Sequence, residues 1–385
     1  MLRTKYHLSI PLKPEHLSRQ KGKILHISTM PTQQDIELVL GNSNKRFSGV
    51  TSTMLQVLSH QRKLMTLAVM GPHHLPDGTP CLSFIESVKL CKEPLSDGRK
   101  RVFHARRNDE MIQALLLKKI FGAKIIPVFT STAQRHHSNF TKWLMGHMDG
   151  IVTTCEAAGS FLEKPADIMI PHGIDLSTYF PTYDKEAAWK KLDLPGKYGI
   201  GIFGRVRHQK GLDILIDAII PILKENPDPT IVIVGETTPS HQAYLDEQLE
   251  KMANAGLSDR VVVLGKQPFS EIPILFRSMS LVAALSRNEG YGLTAPEAMA
   301  SGTAVIASEA GAWKEVLRDG IDGYVVPCGD VAATKQALTS ILAKLPAELL
   351  EMGMNGHQRI QDCYTIEQEA QSLCDYFKKL QSKKN

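Results

Sequence analysis

Several features typical of other protein classes are absent from this 385-residue chain. No stretch approaches the roughly 20 apolar residues of a membrane span. Residues 1–23 are basic but have no long apolar core, so we expect no secretory signal. The six cysteines include no Cys-x-x-Cys pair, which favours free thiols in a reducing compartment. We therefore expect a cytoplasmic protein.

The sequence also has no Asp-x-Asp pair, no internal repeat and no low-complexity segment. Without paired aspartates it offers no obvious ligands for a divalent cation, so we expect neither a metal site nor a bound cofactor. What the chain does have is enough apolar material for two cores, since 43% of its residues are hydrophobic. Its length favours two domains.

Positive charge is concentrated in the first half of the chain. Residues 1–180 hold 23 Lys and Arg against 14 Asp and Glu, whereas the remainder holds 22 against 26. A basic half favours an anionic partner, such as a phosphorylated glycolipid, a membrane surface or a nucleic acid. Nucleic acid is the weakest of these, because the basic residues are scattered and no recognised binding module is present.

The most informative stretch is residues 287–302, which read R-N-E-G-Y-G-L-T-A-P-E-A-M-A-S-G. The apolar run at 281–285 predicts a buried strand before it, and the two glycines predict a loop. Thr294 suits a helix N-cap, Pro296 an early helical position, and Glu297 the position that completes a capping box. A strand, a glycine loop and a helix start together point backbone N–H groups at an anion.

The residues of this stretch alone leave two interpretations open. In the first, Thr294 and Glu297 form only a capping box, and Glu289 is a solvated loop carboxylate. In the second, both glutamates face a cleft at the carboxyl end of the strand, where open α/β sheets bind ligands.

A second glycine turn, G-R-V-R-H-Q-K-G at residues 204–211, follows the apolar run Tyr198–Phe203. Arg205 and Lys210 flank the turn, and apolar residues at helical spacing follow it. The same region contains a G-x-G-x-x-G match, whose first two glycines alternate with Ile inside the apolar run. A dinucleotide site needs that motif in a turn, so we place the first two glycines in a strand and reject the dinucleotide interpretation.

The first half contains a glycine loop and two basic clusters. The loop N-S-N-K-R-F-S-G-V precedes a predicted helix, and the clusters H-A-R-R-N, at 104–108, and R-H-H, at 135–137, each follow a predicted strand. Because parallel strands end at one edge of a sheet, we expect all three segments on the same rim. Arginine binds carboxylates and phosphates bidentately, although solvated surface charge is the alternative interpretation.

Apolar runs alternate with helical periodicity through the second half. This alternation predicts a parallel, doubly wound sheet, with strands near 230–234, 261–264, 304–307 and 323–326. A stretch rich in Pro, Lys and Asp after residue 179 is typical of a linker, so we place a domain boundary near residue 180. Thr365 and Gln368 predict a capping box for a last helix that ends near Leu380.

These motifs resemble the retaining glycosyltransferases of family 4. Glu289 and Glu297 match the family's E-x7-E signature, residues 204–211 match its G-R-x4-K-G element, and H-G-I-D at 172–175 is similar to the segment that ends its first domain. The resemblance implies an α/β GT-B fold, in which two Rossmann-like doubly wound domains face each other across a cleft. The domains would be residues 1–180 and 181–362, with a helix at 363–380 packing back on the first.

The resemblance also implies a role for each candidate residue. Arg205 and Lys210 would hold the donor diphosphate, whose growing negative charge fixed cations stabilise. Glu289 would hold the hydroxyls of the donor sugar, and Glu297 would hold those of the ribose. The other donor-binding residues that the resemblance implies are Gly49, Gly204, Lys266, Gly290, Tyr291, Gly292 and Thr294.

A narrower resemblance connects the basic clusters with lipopolysaccharide-core mannosyltransferases that act on a Kdo-bearing acceptor. Kdo carries a carboxylate and lipid A carries phosphates, so the implied acceptor-binding residues are His104, Arg106, Arg107, Arg135 and His136. The implied reaction moves mannose from GDP-mannose to this anionic glycolipid, with retention and without a metal. The protein would bind peripherally to the inner face of the cytoplasmic membrane. Thr130 stands where many family members carry a His, so no catalytic base is evident.

Three alternatives remain open. A sugar-phosphate synthase or phosphorylase, or a transferase that uses a UDP-sugar, would share the fold and the glutamates. A dinucleotide-dependent oxidoreductase would need the glycine turn rejected above. A non-catalytic sugar-binding protein would tolerate the loss of Arg205 and Lys210, and both residues are present.

Overall fold

The computed structural model describes residues 35–344 and 346–383. The apolar segment at residues 24–28 predicts a further short strand, and it lies outside this part of the chain. None of the helices within it is both long and apolar enough to cross a bilayer.

The first domain is a seven-stranded parallel sheet with helices between the strands. Its elements are β1 (Leu38–Gly41), α1 (Gly49–Leu64), β2 (Leu67–Met70), β3 (Cys81–Leu82), α2 (Phe84–Lys92), β4 (Arg101–Ala105), α3 (Asn108–Leu115), β5 (Ile125–Ser131), α4 (Asn139–Met145), β6 (Gly150–Thr153), α5 (Glu156–Gly159) and β7 (Ile168–Met169). The helix α3 continues as a π-helical turn, Leu116–Ile120. The strand order is β3-β2-β1-β4-β5-β6-β7.

The second domain repeats this architecture with six strands. Its elements are α6 (Lys185–Lys190), β8 (Tyr198–Phe203), α7 (Leu212–Glu225), β9 (Pro229–Val234), α8 (Gln242–Asn254), β10 (Val261–Gly265), α9 (Ile272–Ser278), β11 (Leu281–Ala284), α10 (Thr294–Ala300), β12 (Ala304–Ser308), α11 (Trp313–Val316), β13 (Gly323–Val326), α12 (Val331–Leu342) and α13 (Pro346–Cys363). One more helix, α14 (Ile366–Ser382), follows them. The strand order is β10-β9-β8-β11-β12-β13, and all pairs are parallel.

The strands are apolar on both sides because helices cover both faces of each sheet. Every residue of β9 and of β11 is buried, for example, which explains their predominantly apolar sequences. In each sheet the chain starts with a central strand, moves outward to one edge and then crosses to the other side. This strand order is that of a doubly wound fold. The predicted pair of Rossmann-like domains is confirmed.

The last helix, α14, packs on the first domain. The predicted capping box is confirmed, since the Gln368 N–H donates to Thr365 Oγ1 at 3.3 Å and the Thr365 N–H donates to Gln368 Oε1 at 3.0 Å. The apolar side of α14, which includes Leu373 and Phe377, shares a core with Met54 of α1. The chain therefore crosses between the domains twice, once near Ile174 and once just before α14.

The carboxyl edges of the two sheets face each other. Tyr291, which follows β11, donates through its hydroxyl to the carbonyl of His172, which follows β7, at 3.1 Å. The Glu315 carboxylate accepts the N–H groups of Glu156 and Ala157 at the start of α5, at 2.9 and 3.0 Å. The cleft between the domains is thus lined by the loops where the sequence places its candidate residues.

Candidate active site between the two sheets

The turn after β8 lies against the turns that end β9 and β10. The Gly204 N–H donates to Val234 O at 2.8 Å, and the Gly235 N–H donates to Gly265 O at 2.8 Å. Gly235 has φ +152°, and a Cβ there would lie 1.9 Å from the Gly204 carbonyl oxygen. Only glycine allows the two backbones to come this close. This role of Gly235 was not predicted from the sequence. The contact brings Arg205 and Lys266 to the same edge of the sheet.

Lys210 and Glu289 form an ion pair at the centre of this edge. The Nζ of Lys210 contacts Glu289 Oε1, and Ser286 Oγ donates to the same oxygen at 2.8 Å. Both charged side chains are mostly buried, with 17% and 13% of their surface exposed. The pair joins the two turns that the sequence singled out, although they lie 79 residues apart.

A second ion pair fixes the position of these turns. The Arg287 guanidinium donates to both carboxylate oxygens of Asp213, at 3.0 and 2.7 Å, and to the His208 carbonyl at 2.7 Å. A bidentate arginine pair holds geometry as well as charge. Sequence reasoning missed both residues because neither belongs to a recognised motif. They hold the Lys210 turn against the Glu289 loop.

Arg205 and Lys266 are exposed, and neither has an ion-pair partner among residues 35–344 and 346–383. Two unpaired cations beside a third that is paired only with a carboxylate make this edge attractive to a diphosphate. Their predicted roles in donor binding remain predictions.

The prediction that Thr294 is the N-cap of a helix is wrong. The helix α10 begins at Thr294 itself, and the cap position is Leu293, which already has right-handed backbone angles of φ −75° and ψ −18°. The Glu297 N–H therefore donates to the carbonyl of Leu293 at 2.8 Å, and no side chain caps the helix. Thr294 is instead the first residue of the helix.

Glu297 bonds a residue of the interdomain linker instead of its own helix. The Tyr179 hydroxyl donates to Glu297 Oε1 at 3.1 Å. Burial raises the pKa of Glu297 to about 7, even though Tyr179 and the nearby Lys210 both favour its ionised form. The capping interpretation of Glu297 is excluded, which leaves a partly buried carboxyl group within the electrostatic range of Lys210.

The Gly290 to Gly292 loop presents backbone rather than side chains to the cleft. The Tyr291 ring packs edge-on against His172, with centroids 5.0 Å apart, so its side chain serves the domain contact. Gly292 has φ +84°, and a Cβ there would lie 2.6 Å from the Trp313 indole nitrogen, which donates to the Gly292 carbonyl. At Gly290 a Cβ would approach the Thr132 carbonyl of the first domain to 3.1 Å.

The glycine loop of the first domain reaches towards the second. Gly49 is the first residue of α1, and a Cβ built on it would meet no atom within 4 Å. Beside it, the Phe47 ring lies 5.8 Å from the ring of Phe269, which follows β10. Gly49 therefore borders free space at the cleft, where a donor could approach the backbone.

His104 does not fit its predicted contact with an acceptor. Its ring is only 1% exposed, lies 2.7 Å from Thr130 Oγ1 through Nε2, and packs edge-on against Phe377 of α14. Burial, and then the charges of Arg106 and His172, lower its pKa well below the ordinary value. The imidazole is therefore neutral and part of the interior, because α14 returns to cover it.

Arg106 is also less open than predicted. Its Nη1 and Nη2 atoms are buried and have no hydrogen-bond partner among the described residues, and the same holds for His104 Nδ1 and Thr154 Oγ1. These atoms surround a cavity of about 10 Å³, which is close to the space that one water molecule needs. Burial lowers the pKa of Arg106, while Glu110 and Glu369 counteract that effect.

The remaining basic candidates lie on the rim as predicted. Arg107 donates to Ser48 Oγ and Thr51 Oγ1, both at 2.7 Å, and thereby connects the β4 loop with the loop before Gly49. Arg135 and His136 are exposed at the approach to α4, and the His136 ring packs against Phe161 at 5.3 Å. Of the first cluster, only Arg107 combines partial exposure with a fixed position.

No group of three or more His, Cys, Asp or Glu side chains is arranged to hold a metal ion within the described ranges. The cations of the site are instead those of lysine and arginine. Such an arrangement can neutralise a leaving diphosphate directly.

Comparison with known proteins gives consistent matches. The family model described as glycosyl transferases group 1 matches residues 197–344. The chain is 40% identical to the lipopolysaccharide core biosynthesis mannosyltransferase LpcC of Rhizobium leguminosarum bv. viciae, over 89% of this chain and 96% of that protein. It is 38% identical to LpsB, named as the same activity, of Rhizobium meliloti strain 1021, over 90% and 98%.

Solved structures support the fold. Anabaena Alr3699/HepE in complex with UDP has a TM-score of 0.75 and 17% identity, over 89% of this chain and all of that one. Sucrose-phosphate synthase of Thermosynechococcus elongatus has a TM-score of 0.69 and 19% identity, over 90% and 99%. At these identities the likeness concerns the fold alone, and it confirms the predicted GT-B architecture.

Proposed function

The chain belongs to the group 1 glycosyltransferases, and we propose that it transfers mannose from GDP-mannose to a Kdo-bearing lipopolysaccharide inner core. The observation that carries this proposal is the 40% identity with a lipopolysaccharide core mannosyltransferase along 96% of that protein's length. Similarity of that extent includes the first domain, which in a two-domain transferase faces the acceptor.

The second domain supplies the donor site in this proposal. Arg205 and Lys210 bind the diphosphate, and Lys266 lies beside it on the neighbouring turn. Glu289, held by Lys210 and Ser286, accepts hydrogen bonds from sugar hydroxyls, and the Gly290 to Gly292 backbone closes around the sugar. Glu297 binds the ribose hydroxyls, for which it must exchange its contact with Tyr179.

The reaction breaks the bond between the anomeric carbon and the donor phosphate oxygen. As that bond breaks, the leaving diphosphate gains negative charge, which the fixed cations stabilise without a metal. The acceptor hydroxyl forms the new bond on the same face of the sugar, and the departing phosphate oxygen takes the hydroxyl proton. This route needs no side-chain base, which agrees with a neutral, buried His104.

The first domain supplies the acceptor site. Arg107, Arg135 and His136 lie on its rim, and the buried Arg106 stands behind them with unpaired Nη atoms. Arginines at such a rim can bind the carboxylate of Kdo and the phosphates of lipid A. The acceptor is membrane-embedded, so the enzyme would work at the inner face of the cytoplasmic membrane.

The test is a transfer assay with a panel of donors and acceptors. GDP-mannose, GDP-glucose, UDP-glucose and UDP-galactose are each incubated with Kdo-lipid A, with its deacylated oligosaccharide and with a sugar phosphate, in excess chelator. We expect mannose transfer to both Kdo acceptors, undiminished by the chelator, with an α-linkage in the product. Transfer only from a UDP-sugar, or only to the sugar phosphate, would contradict the proposal.

A further inference from the structure

Two neighbouring helices of the first domain carry a set of large apolar side chains in water. The set, called here the α3–α4 face, lies on α3, on its π-helical continuation and on α4, and each member is at least 37% exposed: Ile112, Leu116, Ile120, Phe121, Phe140 and Trp143. Exposed apolar patches of this kind mark a site of interaction with a protein or a membrane.

The face is continuous because the two helices pack together. Asn108 Nδ2 at the start of α3 donates to Thr141 Oγ1 of α4 at 2.8 Å, and Met111 and Leu144 meet in one core on the inner side. On the outer side, Ile112 and Leu116 follow each other at helical spacing. The rings of Phe140 and Trp143 stack on α4, with centroids 6.2 Å apart and planes 12° from parallel.

The charge within the segment that carries the face is positive, although Asp149 and Glu163 reach this segment in ion pairs with Lys118 and Lys142, and Asp109 lies one turn before Ile112. Residues 111–148 contain five Lys and Arg and three His but no Asp or Glu. Within that segment Lys119, Lys124 and Arg135 are exposed and have no ion-pair partner in the described part of the chain. Apolar and aromatic side chains with three unpaired cations on the same segment match the interface of an anionic bilayer, in which Trp settles at the headgroup level.

The face adjoins the rim of the predicted acceptor site. Arg107 is the residue before α3, and the segment with Arg135 and His136 runs into the start of α4. A membrane that touches the exposed side of these helices therefore lies next to their first turns, where the rim arginines stand.

We propose that the α3–α4 face binds the surface of an anionic phospholipid bilayer, with Phe140 and Trp143 entering the interface and the free cations at the headgroups. The proposal rests on the proposed function in one respect, that the acceptor is a glycolipid in that bilayer. Docking in this orientation holds the cleft at the height of the acceptor's inner sugars.

Tryptophan fluorescence tests the contact directly. The chain has three tryptophans, of which Trp143 is 54% exposed while Trp189 and Trp313 are 2% and 1% exposed. Vesicles of phosphatidylglycerol and phosphatidylethanolamine should shift the emission to the blue. Brominated lipids in these vesicles should quench only the emission of Trp143, so a Trp143→Phe variant should show neither the shift nor the quenching. Vesicles of phosphatidylcholine alone should do neither, and salt should weaken the effect. No shift or quenching with anionic vesicles would overturn the proposal.

Variants separate apolar insertion from charge. Phe140→Ser and Ile120→Ser should each lower vesicle partitioning about tenfold, since burying such a side chain is worth more than about 1.4 kcal/mol. Lys119→Glu should lower it several-fold without touching the apolar surface. Ile321→Ser removes an exposed apolar side chain of the second domain, 47% exposed against 54% for Phe140, and should leave vesicle partitioning unchanged. Equal partitioning of all four proteins would contradict the assignment of the face.

The same variants distinguish this inference from the proposed function. Phe140→Ser should lose transfer to Kdo-lipid A in vesicles but keep transfer to the deacylated Kdo oligosaccharide, because its cleft is intact. Loss of both activities in a folded variant would place Phe140 in the cleft and overturn the membrane assignment. If wild type binds anionic vesicles but transfers mannose to neither acceptor, the proposed function fails and the docking surface stands. A dimer in sedimentation velocity that Phe140→Ser dissociates would show that a second copy covers the face.

Discussion

The two sheets hold their charged side chains at facing edges in different ways. At the edge of the second sheet, Arg205 and Lys266 are exposed and unpaired among the described residues, and Lys210 is fixed by Glu289. At the edge of the first sheet, the Nη atoms of Arg106 are buried around a small polar cavity, and Arg107 is engaged with two hydroxyls.

Because of this difference, the two edges should bind different ligands without a rearrangement of their side chains. The second edge has exposed, unpaired cations on short turns whose positions are fixed by ion pairs. Such cations suit a diphosphate, which carries its charge at one end. The first edge offers a rim of arginines over a polar interior that α14 closes. Substitutions at the second edge should therefore change binding with little change in stability. At the first edge, stability should change mainly where the arginine has hydrogen-bond partners, as Arg107 does. Lys210, partly buried in its pair, is the exception on the second edge.

The largest effect should follow from Lys210→Ala. Loss of a fixed cation that stabilises a leaving group typically costs 10²- to 10³-fold in kcat, so we expect about that reduction in mannose transfer. The Tm should also fall, because Glu289 would remain mostly buried without its cation. Lys251→Ala, which removes an ion pair with Asp217 elsewhere in the second domain, is the control and should retain activity. Near-normal turnover in Lys210→Ala would remove this lysine from the reaction.

The next effect concerns the stability contributed by Glu297. Its folded-state pKa of about 7 lies above the ordinary 4.5, so the folded protein binds the proton more tightly than the unfolded chain. This contribution is complete below pH 4.5 and is lost as the pH rises to 7, and we estimate it at about 1–3 kcal/mol.

The measurement is urea unfolding at pH 5 and pH 7.5 for wild type and Glu297→Gln. The variant keeps the shape of the side chain and lacks the titration, so wild type should lose more stability than the variant over this interval. Identical losses in the two proteins would mean that Glu297 ionises normally. The difference between the proteins is the quantity of interest, since His104 and Glu110 titrate in both.

An effect of comparable size should separate two adjacent arginines of the first domain. Arg107→Ala removes two charge-assisted hydrogen bonds, and we expect it to destabilise the fold by about 1.5–3 kcal/mol. Arg106→Met removes a guanidinium whose Nη atoms have no hydrogen-bond partner in the described part of the chain. It loses only the attraction to Glu110 and Glu369, so it should destabilise the fold less than Arg107→Ala. Thermal unfolding measures both. A larger loss for Arg106→Met would show that a bound water or ion already satisfies its Nη atoms.

The smallest effect should be that of Arg135→Gln. This side chain is exposed and unpaired among the described residues, so the Tm should not change. The KM for the deacylated Kdo oligosaccharide should rise several-fold, while slow hydrolysis of GDP-mannose continues at its normal rate. If the KM for the oligosaccharide does not change, Arg135 is ordinary surface charge.

The sequence predicted the fold and the positions of the two glycine turns because local signals determine them. The strand Tyr198–Phe203 has the predicted bounds, and the two glycine turns follow strands as their motifs require. The cap of α10 was predicted wrongly because the side-chain pattern of a capping box was present, whereas the backbone angles of Leu293 start the helix without it.

The first edge could not be predicted in the same way. The burial of His104 and Arg106 depends on α14, which lies more than 250 residues further along the chain and carries Phe377 and Glu369 over them. The hydrogen bond between Tyr179 and Glu297 likewise joins a linker with a helix across 118 residues. Such contacts follow from how the two domains are assembled, and no local pattern reports them.

The central claim is that the second edge binds the donor diphosphate through open cations. Calorimetric titration of GDP into wild type, Arg205→Ala and Arg135→Gln, in chelator, tests it most directly. We expect Arg205→Ala to weaken GDP binding about tenfold or more at an unchanged Tm, as for a lost charge-assisted hydrogen bond. We expect Arg135→Gln, an exposed side chain of the first domain, to leave the affinity for GDP as in wild type. Unchanged affinity in Arg205→Ala, or an equal loss in Arg135→Gln, would contradict this claim.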